Sequence, residues 1–199
     1  MREAKLRELD ERAFRRRLPA MLDVYAAAMR PPADQLPGRH TIMERHSAYP
    51  RFRALVAERP GLLPGGAAIR GFAYGFQGER GQWWHDIVHR ALVGLGGDEH
   101  AATWLDEPFE VAELHVHPGY QGRGVGRRLL TGLCEGRPER TVVLSTLDGG
   151  SDTPARRLYR SVGMVDLLTD FEFPGGGPRY AVMGAALPLA SNEAAPSRS

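Results

Sequence analysis

The sequence predicts an α/β (α+β) domain, and three observations carry that prediction. Residues 109–117 alternate with a period of two, the pattern of a half-buried strand. Pro118-Gly119 breaks that strand, and the glycine-rich run 121–126 opens a helical stretch over 125–133 with Leu129, Leu130 and Leu133 on its apolar side. Further on, the β-branched run 141–147 and the runs 165–173 and 180–187 read as strands, with a short helix over 154–161 between them. At 199 residues and 42% hydrophobic content, the chain is long enough for one substantial core and short for two.

Taken from the N-terminus, Leu6, Leu9, Ala13, Leu18, Leu22 and Tyr25 recur at three- to five-residue spacing among many charges. That spacing predicts an amphipathic helix over 2–29, interrupted at Pro19 and ended by Arg30-Pro31-Pro32. A second helix is expected over 41–58, followed by the Gly- and Pro-rich break at 60–66. Residues 67–76 are short, aromatic and β-prone, with two interior glycines that signal a bulge or a close backbone approach. Trp84, Ile87, Val88 and Leu92 give helical spacing over 83–95, which the cluster at 94–98 should stop. In the alternating strand, Glu110, Ala112, Leu114 and Val116 fall on one face and Val111, Glu113, His115 and His117 on the other. Pro154 suits the first position of its short helix. Residues 191–199 read as a disordered tail, and no internal repeat is visible.

Composition excludes several classes of function. A formal charge of +2, from 26 basic and 24 acidic residues, gives no general field that would draw nucleic acid or a membrane as main partner. Arg15 to Arg17 then read as a solvated face, and interleaved aromatics that would bind nucleic acid are absent. The single cysteine, Cys134, has no internal disulfide partner and fits a reducing, cytoplasmic setting. Neither a signal peptide nor an apolar run of spanning length is visible. The Arg-, Ala- and Gly-rich composition points to a high-GC bacterial source.

The turn Gln121-Gly122-Arg123-Gly124-Val125-Gly126 follows a strand and opens a helix, so backbone N–H groups converge where the positive end of the helix dipole points. A phosphate group fits there, and Arg123, Arg127 and Arg128 add positive charge. Two familiar phosphate loops do not match. The spacing is G-x-G-x-G rather than G-x-G-x-x-G, with Leu144 where an acidic ribose ligand would stand, and no Gly-Lys-Ser/Thr is present.

The turn resembles the pyrophosphate loop of the GCN5-related N-acetyltransferase (GNAT) superfamily, Gln/Arg-x-x-Gly-x-Gly/Ala, through Gln121, Gly124 and Gly126. The strand 112–118 is similar to the family's fourth strand, and 155–164 resembles its second motif of alanine, leucine-tyrosine and glycine-phenylalanine. Met164 replaces the customary phenylalanine, and Asp152 stands where many members carry an asparagine that bonds the pantetheine arm. The likeness covers roughly the last two-thirds of the chain, so 1–66 are expected as an N-terminal helical part, 67–190 as the acetyltransferase core and 191–199 as the tail.

The resemblance implies a mixed, mainly antiparallel central sheet flanked by helices, with acetyl-CoA as co-substrate, an amine as acceptor and no metal. It implies that the backbone of Leu114, His115 and Val116 receives the pantetheine and polarises the acyl carbonyl. Gln121, Gly122, Arg123, Gly124, Val125, Gly126 and Arg127 would hold the pyrophosphate, with Asp152, Arg156 and Tyr159 completing the cofactor side. Tyr159 would protonate the departing thiolate, a role that suits a phenol with an ordinary pKa of about 10. Glu110, eleven residues before Gln121, and Glu113 are the candidate bases, with His115 and His117 in reserve. Two histidines at i, i+2 without a third ligand make a poor metal site. Trp83, Trp84 and His85 either line the acceptor pocket or anchor a helix. The function expected is N-acetyl transfer to a small-molecule or peptide amine; the alternative is a non-catalytic acyl-CoA sensor, and a homodimer is left open.

Overall fold

The computed structural model describes residues 4–59, 68–149 and 153–190. Seven strands and five α-helices lie among these residues, in two compact units. The predicted mainly antiparallel sheet with flanking helices is the architecture found.

The first unit comprises Met1–Glu79 and Phe109–Glu135. Its strands β1 (Lys5–Leu9), β2 (Arg53–Arg59), β3 (Ala68–Gln77) and β4 (Phe109–Val116) run antiparallel in that order. Helices α1 (Glu11–Met29) and α2 (Leu36–His46) bear on one face, where Phe14, Leu18, Met21 and Met43 pack with Val56, Phe72, Tyr74 and Phe76. Helix α4 (Val125–Cys134) packs on strand residues through Leu129, whose Cδ1 would lie 3.1 Å from a Cβ placed on Gly71. That glycine lets helix and sheet approach closely.

The second unit comprises Arg80–Pro108 and Gly136–Ser199. Here β5 (Thr141–Leu147), β7 (Tyr180–Ala186) and β6 (Val165–Phe171) form an antiparallel run in the order β5-β7-β6. Helix α3 (Trp83–Leu105) buries Val88, Leu92, Ala101 and Leu105 against Val143, Leu168 and Val182. Helix α5 (Pro154–Arg160) completes the unit.

Four sequence expectations are corrected. Lys5–Leu9 is strand, not helix: charged residues dominate this edge strand, leaving two leucines at helical spacing, and pairing with β2 overrides them. Arg53–Arg59 is strand as well, because the continuous apolar run at its centre is buried on both faces and periodicity cannot distinguish that from helix. Helix α1 passes through Pro19, which sits exposed on the outer side, and Asp10 caps its start by accepting from the Ala13 N–H at 2.7 Å. Helix α3 does break in the glycine cluster, at Gly97 with φ 79° and ψ −178°, but a second helical segment resumes and reaches Leu105. The break expected at 60–66 and the tail at 191–199 lie outside the described residues.

Candidate functional site

The glycine turn is built as a strand end, a short 3₁₀ turn and a helix start. His117 caps the 3₁₀ turn Pro118–Tyr120, its Nδ1 accepting from the Gly119 N–H at 3.2 Å. Gln121 reaches back and donates from Nε2 to the Val116 carbonyl at 3.0 Å, fixing the turn to the end of β4. Gly122 and Gly124 have φ of 70° and 74°, a region that costs an L-residue about 1–2 kcal/mol. A Cβ at either position would meet nothing within 4 Å among the described residues, so backbone conformation calls for these glycines and leaves the space before them open to those residues. Gly124 is also the N-cap of α4 and supplies no capping side chain, which leaves the first N–H groups of the helix, those of Val125 and Gly126, available to an anion.

Positive charge gathers beside this turn. The guanidinium of Arg70 lies 4.9 Å and that of Arg123 5.6 Å from the Tyr120 ring centre. A hydrogen bond from Arg59, with the charges of Arg70, Arg59 and Arg123, holds the Tyr120 hydroxyl below the ordinary tyrosine range. Arg128 turns away from the loop, donating from Nη2 to the Ala4 carbonyl at 2.7 Å.

Strand β4 departs from simple alternation. Glu113 pairs with Tyr74 and Val111 with Gly75, so β4 carries one extra residue, Ala112, opposite a continuous β3. Glu110 pairs with Phe76, two residues from Tyr74 on one face of β3. The bulge therefore moves Glu113 and His115 to the face of Glu110, correcting the expectation of opposite faces. Gly75 makes room for this path, since a Cβ there would stand 2.3 Å from the Glu110 carbonyl oxygen.

The two carboxylates now share a face but have different surroundings. Glu110 is 4% exposed, and its Oε2 has no hydrogen-bond partner among the described residues; burial pushes the carboxyl up to about 8. It carries its proton at neutral pH. Glu113 is buried as well, and burial alone would raise it too, but the hydrogen bond from His115 and the positive charge of Arg39 prevail and hold it below the usual carboxylate range. Its Oε1 accepts from Arg39 Nη1 at 2.9 Å, and its Oε2 is hydrogen bonded to His115 Nε2.

Rings enclose this chain of groups. Arg39 lies over the Tyr25 ring at 5.1 Å, and the Tyr25 and His115 rings meet perpendicular to each other with centres 5.1 Å apart. His46 Nδ1 is 3.1 Å from the Tyr74 hydroxyl. Burial lowers His46 to about 4, so it is neutral, and burial raises Tyr74 well above the ordinary range. Sequence reasoning missed Tyr25, Arg39, His46 and Tyr74. Arg39 and Glu113 are 74 positions apart, and no local pattern announces their pairing.

The remaining candidates belong to the second unit. Thr153 caps α5, its Oγ1 accepting from the Arg156 N–H at 3.2 Å, and Tyr159 is buried on that helix. Arg156 is buried with its Nη1 2.5 Å from Asp148 Oδ1 and its Nη2 2.7 Å from Asp166 Oδ1, so its guanidinium is engaged in anchoring α5 to neighbouring strands. Asp152 lies outside the described residues. Trp84 donates to Ser145 Oγ at 3.2 Å, and His85 Nε2 is 3.0 Å from the Leu105 carbonyl, the helix-anchor reading; Trp83 is 57% exposed and stacks on Phe173. Among the described residues, no group of three or more His, Cys, Asp or Glu side chains is arranged to hold a metal, and no helix is long and apolar enough to cross a membrane.

Comparison with known proteins bears on residues 50–164, which match the family model for the acetyltransferase (GNAT) domain. A GCN5-like protein acetyltransferase of Mycobacterium tuberculosis is 41% identical over 125 residues, which cover 62% of this chain and 61% of that relative. The N-alpha-acetyltransferase RimI of the same organism is 39% identical over 72 residues, 36% of this chain and 44% of the relative. The matches thus span less than two thirds of these relatives. Among solved structures, a protein assigned as an acetyltransferase from Salmonella typhimurium, bound to acetyl-CoA, superposes with a TM-score of 0.58 at 18% identity over 100% of both chains.

Proposed function

The chain belongs to the acetyltransferase (GNAT) family, and from that premise we propose that it is an acetyl-CoA-dependent N-acetyltransferase, acting in the cytoplasm on a primary amine of a peptide or small molecule. The observation that carries this reading is the turn at Gly122 and Gly124, where two left-handed glycines open onto free space at the uncapped start of α4. A pyrophosphate presented there would meet converging N–H groups, the helix dipole and the arginines around Tyr120. Gln121 holds the turn to β4, whose segment Leu114, His115 and Val116 would take the pantetheine by family resemblance. The amine attacks the thioester carbon directly, and the departing thiolate leaves as the free thiol after taking a proton. The bulge gathers Glu110, Glu113 and His115 on one face of β4, and this cluster of titratable groups supports proton removal from the acceptor on that side.

The test is isothermal titration with acetyl-CoA of the wild type, Gly124→Glu and Gly136→Glu. Gly136 also has positive φ, at 67°, and open space, so it reproduces the backbone strain away from the turn. We expect binding by the wild type and Gly136→Glu and a loss of about 100-fold or more in Gly124→Glu, whose carboxylate repels the pyrophosphate. Absence of binding in all three overturns the reading. Binding without thiol release against any amine or peptide tried would leave the acyl-CoA sensor in its place.

A further inference from the structure

Resting on that transferase reading, we infer that His115 is the group that takes the acceptor's proton, that Glu113 orients it, and that Arg39 is the positioning residue that holds Glu113 in place. The geometry forms one line. Arg39 on α2 donates from Nη1 to Glu113 Oε1 at 2.9 Å, and Glu113 Oε2 meets His115 Nε2. A carboxylate only accepts, so Nε2 must carry the hydrogen, which leaves Nδ1 as the ring nitrogen that can take up the acceptor's proton. No hydrogen bond engages Nδ1 among the described residues. Tyr25 and Phe72 hold the ring, with centres 5.1 and 5.5 Å from it, so the free nitrogen has a fixed direction.

Access favours the imidazole over either carboxylate. The His115 side chain is 12% exposed, against 7% for Glu113, and Glu110 is buried beside the bulge with its proton on. Chemistry agrees. Glu113 already accepts from two cations or donors and has little left to offer an ammonium, whereas Nδ1 is uncommitted. The step balances as follows: the amine nitrogen bonds to the acetyl carbon, its proton passes to Nδ1, the C–S bond breaks, and the thiolate leaves as the free thiol of coenzyme A after taking a proton.

Arg39 has a second effect. Its guanidinium neutralises the Glu113 carboxylate from the side opposite His115, so the carboxylate stays fixed as the partner of Nε2. Tyr25 on α1 and Glu113 on β4 meet His115 directly, and the titratable or charged groups around its partner Glu113 are Arg39 and His46 on α2 and Tyr74 on β3.

Two measurements on the full chain test this. Long-range ¹H–¹⁵N spectra of histidine-labelled protein at pH 7.5 should show His115 protonated at Nε2 and bare at Nδ1, with that bias lost in Glu113→Gln; the opposite tautomer overturns the assignment. Acetyl transfer from acetyl-CoA to short peptides with free Ala, Ser or Met N-termini should fall about 100-fold or more in kcat/KM in His115→Gln, with acetyl-CoA affinity unchanged. Arg39→Met should weaken the Nε2-protonated bias in the same spectra and lower kcat with the peptide KM unchanged, and Arg39→Lys should restore both in part, which a purely structural residue would not do. A larger loss in Glu110→Gln than in His115→Gln overturns the proposal. If acetyl-CoA does not bind, the transferase reading fails, and the tautomer measurement still decides the dyad.

Discussion

A buried carboxyl without a partner leaves a mark on stability that can be read without any substrate. The folded chain keeps the Glu110 proton up to about pH 8, while the unfolded chain releases it near the ordinary carboxylate value. Unfolding therefore releases a proton throughout that interval, and raising the pH favours it, by up to about 1.4 kcal/mol per unit, until the folded group also ionises. Urea midpoints measured from pH 5.5 to 9 should show this decline in the wild type, and Glu110→Gln should flatten it. His46 acts in the other sense. Its folded value of about 4 lies below the unfolded one, so stability is lost as pH falls from about 6.5 towards 4.

At the scale of elements, the β3–β4 pair concentrates the requirements. Gly75→Ala would drive a Cβ to 2.3 Å from the Glu110 carbonyl and 2.7 Å from the Phe109 ring, and neither backbone nor packed ring yields cheaply. We expect a loss of roughly 1–3 kcal/mol or more in chemical denaturation, with the Glu110 pH dependence altered at the same time. The same pair shows how far sequence reading reached. Strand β4, the turn and α4 were legible because period-two alternation, breaker residues and an apolar helical stripe are local signals. The shared face of Glu110 and Glu113 was not, since it depends on one extra residue in β4 and on a glycine in a strand more than thirty positions away. Tyr25, Arg39, His46 and Tyr74 were hidden for the same reason: each reaches the site through tertiary packing, from segments whose own patterns signal only helix or strand.

For the molecule as a whole, a formal charge of +2 spread over 199 residues leaves attraction of anions to local clusters rather than to a general field. The arginines around Tyr120 are such a cluster at an exposed surface, and salt screens exposed charge within about 10 Å at 0.1 M. Affinity for acetyl-CoA should fall several-fold between 50 and 500 mM NaCl by titration calorimetry, while retention on DNA stays negligible at either concentration. The surplus residue in β4 also bears on how such a chain can change over generations. Substituting any side chain of β4 alters what stands at a position but leaves the count of residues, and so the partition between the two sheet faces, as it was. Only the loss or gain of a codon moves Glu113 and His115 across the sheet together, and a lineage with β4 one residue shorter would have to assemble its proton-handling groups afresh from another strand.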